Sequence, residues 1–140
     1  MTEVNVTKEV NVSADAVWAA VEPFSGIEHY SPIASSIVTG SGEGAKRTCT
    51  MPDGAQIHEE LTVLNSADMY LEYVILESPL PVFNYTGKVK VTRTGDDSCE
   101  ISWGSTYEVV PEAAAQMDEM LTGIYNAIIS GLEELVTARV

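Results

Sequence analysis

The sequence predicts an α+β protein in which a curved antiparallel sheet wraps around one long C-terminal helix. Three observations predict it. Residues 111–139 carry an unbroken apolar period of ~3.6 residues, the mark of an amphipathic helix. Residues 33–109 carry almost nothing but strand-like alternation, cut by short turn sequences. Such short connections between successive strands make the sheet antiparallel. A broad apolar helix face needs one large concave surface to bury it, and the space left between the two becomes a cavity.

Taken in order, the elements run as follows. Glu3 to Val12 alternates, with Val4, Val6, Val10 and Val12 on one face, which predicts a half-buried first strand. Ser13 suits a helix N-cap. Ala14 to Val21 then reads as a short helix with Val17, Trp18 and Val21 as its apolar face, ended by Pro23. Phe24 to Tyr30 predicts a second short helix, stopped before Pro32. Strands follow over Ile33–Thr39, Ala45–Met51, Ala55–Asn65, Tyr70–Leu76, Asn84–Thr94 and Cys99–Val109, making a seven-stranded sheet with the first. Between them lie turn sequences such as Ser41-Gly42-Glu43-Gly44, Pro52-Asp53-Gly54 and Gly95-Asp96-Asp97.

The long helix starts at Pro111, whose missing N–H costs nothing in a first turn. Its apolar side gathers Met117, Met120, Leu121, Ile124, Tyr125, Ile128, Leu132 and Val136, and its polar side Glu119, Ser130, Glu134 and Thr137. Gly131 falls on the apolar side, where glycine costs roughly 1 kcal/mol of helix propensity. A close backbone approach to the sheet is the expected reason.

Residues 1–140 show no repeat, low-complexity tract or linker and read as one domain. The formal net charge is -14, with only seven Lys and Arg. Nucleic acids and anionic membrane surfaces would be repelled, so neither is an expected partner. No apolar run is long enough to insert in a membrane, and the N-terminus carries no signal-like segment, so a cytoplasmic protein is expected. Cys49 and Cys99 lie far apart, without metal-ligand spacing, and read as buried free thiols. His29 and His58 form neither a triad nor a metal site. No metal and no cofactor are expected, and monomer and homodimer both remain open.

Glu59 is the residue most suggestive of chemistry. Its strand places Ile57, Leu61 and Val63 on one face, and Glu59 shares their apolar register. Facing a cavity it would serve as a general base or as acceptor for a ligand hydroxyl; the other reading is a structural ion pair. Arg47 is its expected partner. Pro52-Asp53-Gly54 reads as a three-residue hairpin loop with Gly54 left-handed. Met51 then faces Ala55, Cys49 faces Ile57, and Arg47 faces Glu59. Tyr73 and Tyr85 fall in inward registers and combine an apolar ring with a donor, in a pocket or in an ordinary core. Trp103 and Tyr107 share a register with Ile101, but Gly104 permits a bulge that would reverse it, so both facings stay open.

Order and motifs together resemble the helix-grip superfamily, also called START-like, Bet v 1-like or SRPBCC, in its bacterial polyketide cyclase/dehydrase-like branch. The residues that carry the likeness are Ser13-Ala14-Asp15-Ala16-Val17-Trp18, Phe24 with Pro32, Gly44-Ala45 with Arg47, Asp53-Gly54, Glu59 with Leu61, and Tyr73. Pro79-Leu80-Pro81-Val82 with Asn84-Tyr85, then Trp103, complete it. The resemblance implies a cavity for an apolar or amphipathic small molecule, lined by Ile57, Leu61, Tyr73, Ile75, Tyr85, Met117, Leu121 and Ile124. It does not by itself imply catalysis. A binding or carrier protein is the leading expectation. The alternative is a cofactor-independent cyclase, aromatase or dehydratase using Glu59, Arg47 and Tyr85, and a third reading is a module resembling chaperone activators.

Overall fold

The computed structural model describes residues 1–139. Seven strands form one antiparallel sheet: β1 (Thr2–Val10), β2 (Ser35–Thr39), β3 (Lys46–Thr50), β4 (Gln56–Asn65), β5 (Tyr70–Glu77), β6 (Val82–Gly95) and β7 (Ser98–Val109). Their spatial order is β1-β7-β6-β5-β4-β3-β2. After β1 the chain passes through α1 (Ala14–Val21) and a 3-10 turn (Ile27–His29) to the far edge of the sheet. It then returns strand by strand until β7 pairs with β1. A 3-10 turn at Pro111–Ala113 leads into α2 (Ala114–Ala138), which packs against β1, β7 and α1. This is the helix-grip architecture predicted from the strand order. No helix among the described residues is long and apolar enough to cross a membrane.

Local sequence accounts for the boundaries. Ser13 caps α1 by accepting the Ala16 N–H at 3.2 Å. The short helix expected over Phe24–Tyr30 contracts to Ile27–His29, because Phe24 (φ 65°) and Gly26 (φ 79°) both adopt left-handed backbone that no helix can contain. In α2, Met117, Leu121, Tyr125, Ile128, Leu132 and Val136 are buried as the stripe predicts. Met120 is 37% exposed, at the boundary of the stripe.

Two glycine expectations change. Gly104 marks no bulge: the pairing of β7 with β1 runs unbroken from Thr2↔Tyr107 to Val10↔Cys99. Trp103, Ser105 and Tyr107 all point inward and are buried. Glycine is needed at 104 because a Cβ there would lie 2.6 Å from the Val4 carbonyl oxygen of β1. Gly131 does make a close approach, though to the turn after α1 and not to the sheet. Its hypothetical Cβ would sit 2.2 Å from the Tyr30 carbonyl oxygen.

The same helix therefore contains two glycines of opposite consequence. Nothing lies within 4 Å of a Cβ at Gly123. Gly123→Ala should stabilise by up to about 1 kcal/mol through helix propensity. Gly131→Ala should destabilise by about 1–3 kcal/mol, because overpacking against backbone outweighs that gain. Urea denaturation of both variants reads the signs directly; a stabilising Gly131→Ala would contradict the close approach.

Candidate functional site

The site begins at the β3–β4 hairpin. Gly54 (φ 91°) turns the chain, and Met51 N–H donates to the Ala55 carbonyl at 2.8 Å. That closure sets Cys49 opposite Ile57 and Arg47 opposite Glu59, the register expected from turn and apolar pattern. Arg47 is 3% exposed and Glu59 8%. Nε of Arg47 donates to the carboxylate oxygen Oε1 at 2.7 Å, and Nη2 lies against the same oxygen at 2.7 Å as an ion-pair contact. The Cys49 Sγ lies 3.4 Å from that oxygen as well. No hydrogen bond from the described residues reaches Oε2.

Arg47 is held from a second side. Nη1 donates to the Phe24 carbonyl at 3.1 Å, and the guanidinium carbon lies 3.8 Å from the Phe24 ring centroid. The left-handed backbone at Phe24 accompanies this double contact, a local strain of the kind that surrounding interactions must hold in place. Burial pulls the guanidinium pKa down, but the Glu59 carboxylate, Cys49 and Tyr73 together hold it above its ordinary value. Burial, then the neighbouring Glu59, pushes the Cys49 thiol up to about 12, which keeps it protonated near neutrality.

A chain of hydroxyls runs beside the ion pair. Tyr125 donates to Ser105 Oγ at 2.7 Å. A phenol has one proton, so in the 2.5 Å bond between Tyr85 and Tyr125 the donor is Tyr85. Tyr73 must then donate to Tyr85, across a long 3.4 Å, while accepting from Trp103 Nε1 at 3.3 Å. Gly87 makes room for Tyr73, whose ring lies across it; a Cβ there would be 2.2 Å from the ring. Burial, followed by the Glu59 charge, pushes the Tyr73 phenol up to about 12, and burial drives Tyr85 and Tyr125 higher still.

Of these groups Arg47, Glu59, Tyr73, Tyr85 and Tyr125 face a cavity of about 420 Å³ between the β3–β5 part of the sheet and α2. Ile57, Tyr73, Ile75, Tyr85, Leu121 and Ile124 line it, together with Arg47 and Glu59. Two expected lining residues do not. Leu61 is fully buried one pair further along β4, opposite Tyr73, and its backbone closes on Ala45. Met117 is buried one turn before the cavity begins on α2. Tyr125 and Ile128 take their place, with Ile27 and Ile33 from the crossing segment. The exposed rim is built by Pro52 and Asp53 of the hairpin, Pro79, and Met120. Beyond Val74↔Thr86, β5 and β6 no longer pair, and a groove opens between them that shares Ile75, Leu80 and Tyr85 with the cavity. His29 is exposed and His58 binds only Thr48, at 3.1 Å. No metal-binding cluster occurs among the described residues.

A family model described as polyketide cyclase/dehydrase and lipid transport matches residues 1–137. The chain belongs to the polyketide cyclase/dehydrase and lipid transport family. No curated protein matches it. Solved structures similar to this family member include the protein XoxI of Bacillus cereus, 27% identical with a TM-score of 0.89, covering 98% of this chain and 96% of that one. An uncharacterised protein of Bacillus thuringiensis is 27% identical with a TM-score of 0.87, covering 97% and 99%. Norcoclaurine synthase of Thalictrum flavum, solved with dopamine and hydroxybenzaldehyde, is 23% identical with a TM-score of 0.75, covering 98% and 87%. The last likeness is one of fold.

Two outcomes follow from the buried polar groups. Arg47→Ala strands a carboxylate in a site with 8% exposure and should cost about 3–5 kcal/mol. The Arg47→Met/Glu59→Leu double replacement should recover much of that loss, since both desolvation penalties vanish. Additive effects below about 1 kcal/mol in a double-mutant cycle would show the pair to be energetically exposed. The second outcome concerns alkali. The folded-state phenol pKa values of Tyr73, Tyr85 and Tyr125 lie above the unfolded value of about 10. The unfolded chain therefore loses these protons first. Stability is complete below pH ~10 and falls as pH rises through the folded values. Phenolate absorbance from these residues should appear together with loss of near-ultraviolet circular dichroism, and their ionisation near pH 10 in intact protein would refute the buried chain.

Proposed function

We propose that this protein binds a hydrophobic or amphipathic small molecule, polyketide-, lipid- or aromatic-like, between the sheet and α2. The observation that carries this reading is the cavity itself. About 420 Å³ lies within the range of small-molecule sites, and its wall is mostly aliphatic and aromatic with a few converging polar groups. The family description points the same way, since it joins polyketide chemistry with lipid transport.

A second reading is a cofactor-independent cyclase, aromatase or dehydratase. One observation favours it: Glu59 carries a carboxylate oxygen free of protein partners and lines the cavity. Against it, the protons of Tyr85 and Tyr125 are already committed within the wall, at 2.5 and 2.7 Å. An acid catalyst has to release its proton to the substrate. Binding without turnover is the better supported of the two.

Leu121 lies on α2 in the middle of the lining and is 4% exposed. Leu121→Trp should fill the space and weaken binding of the neutral dye Nile red by about tenfold or more, with the far-ultraviolet circular dichroism unchanged. Equal dye affinity in the folded variant would remove the cavity from consideration.

A further inference from the structure

We propose that the ligand is an uncharged, hydroxyl-bearing hydrophobe, a phenol or an apolar alcohol, whose O–H donates to Oε2 of Glu59. This rests on the cavity being a binding site, the reading given above. The polar valences that the wall leaves open decide the chemistry. Oε1 of Glu59 already receives the Nε–H of Arg47 and the Cys49 thiol and has Nη2 against it at 2.7 Å, whereas Oε2 receives no hydrogen bond from the described residues. Glu59 is more than nine-tenths buried and lines the cavity. In the empty cavity water can satisfy Oε2. An apolar ligand that displaces the water must supply a donor, or it leaves a desolvated carboxylate oxygen unpaired.

The other polar groups offer little to a ligand that only accepts. The protons of Tyr85 and Tyr125 are spent inside the chain that ends at Ser105. Nε and Nη1 of Arg47 donate to Glu59 and to the Phe24 carbonyl, Nη2 lies against the same Glu59 oxygen, and the Phe24 ring covers the guanidinium at 3.8 Å. Tyr73 alone holds its proton loosely, at 3.4 Å from Tyr85. A hydroxyl matches this pattern because it donates to a carboxylate and retains lone pairs for such a phenol.

Charge removes the remaining classes. Arg47 and Glu59 already sum to zero, so a carboxylate ligand would meet Glu59 without a free counter-charge. An ammonium would bring a third charge into the buried wall, away from Asp53 on the exposed rim, and would carry the desolvation cost there. Ethers and ketones accept only, and leave Oε2 stranded.

The test is displacement of Nile red from the full chain at neutral pH by four matched probes: para-hexylphenol, its methyl ether, para-hexylbenzoic acid and para-hexylbenzylamine. The phenol should bind about tenfold or more tighter than each of the others, the effect of one hydrogen bond to a buried charged acceptor. Equal or tighter binding of the ether, the acid or the amine overturns the hydroxyl assignment while leaving the cavity a binding site. Displacement by none of the four overturns the binding reading as well. In Arg47→Met/Glu59→Leu the phenol-to-ether ratio should fall to about one. A ratio that persists in that variant overturns Glu59 as the acceptor.

Discussion

One helix cannot fill the inner face of this sheet. Seven strands at ~4.8 Å spacing span about 29 Å, whereas a helix with its side chains is about 10–12 Å across. The sheet has to curl, and the helix has to choose a side. Close packing of α2 is with β1, β7 and α1, and Ile129, Leu132 and Val136 are buried in its C-terminal half. The crossing segment after α1 fits under the same half, where Gly131 lets the Tyr30 carbonyl approach. What remains uncovered is the β3–β5 region opposite the middle turns of α2, from Met120 to Ile128. The cavity is thus a consequence of unequal widths, and its place follows from where α1 and the crossing segment pack.

A cavity wall of that origin is apolar unless something forces polar groups into it, and here Arg47 and Glu59 are placed there by a hairpin. Arginine suits the position better than lysine would. Its planar head puts one N–H on a carboxylate oxygen, a second on a backbone carbonyl, a third nitrogen against the carboxylate, and its face on an aromatic ring at once. Lysine offers three donors from a point and no face to stack. The arrangement reaches back to Phe24, whose left-handed backbone brings both its carbonyl and its ring to the guanidinium. Hence the break between α1 and the turn at Ile27 is tied to the ion pair. An apolar pair of similar volume would be at least as stable at such a position. Stability alone is a weak reason for these charges, and recognition of a polar atom on the ligand is a stronger one.

Much of this was legible in the sequence, for identifiable reasons. The strand order, α1 and the facing of Arg47 and Glu59 follow from local rules: a period of two, a capped helix start, a three-residue loop with Gly54. The facing of Trp103 was undecided because a glycine in a strand signals either a bulge or a close neighbour. Only the proximity of Val4 on β1, far away in sequence, separates the two. Leu61 and Met117 show the limit of periodicity, which says that a residue points inward but not whether sealed core or open cavity lies there. Tyr125 was visible as part of the helix stripe, yet its role depends on Tyr85 and Ser105 from β6 and β7. The free oxygen of Glu59 had no sequence signal at all, since it arises from how one guanidinium approaches.

The hydroxyl chain finally bears on what kind of work the fold can do. Trp103, Tyr73, Tyr85, Tyr125 and Ser105 draw on β7, β5, β6 and α2, so their hydrogen bonds tie the helix to the sheet through the cavity wall. Each hydroxyl that donates to its neighbour fixes the orientation of the next, because each has only one proton. A wall ordered in this way presents lone pairs in fixed places. Its own hydrogen bonds hold it in place, which lowers the ordering cost of binding a ligand. The same order works against proton transfer: releasing the proton of Tyr85 would break its 2.5 Å bond to Tyr125 and leave a phenolate in a site where burial already opposes the charge. A catalyst on this scaffold would place its acid outside such a chain, with a partner to restore the proton. Here the phenols serve one another, and Oε2 of Glu59, unengaged among the described residues and set in the buried wall, is left to accept.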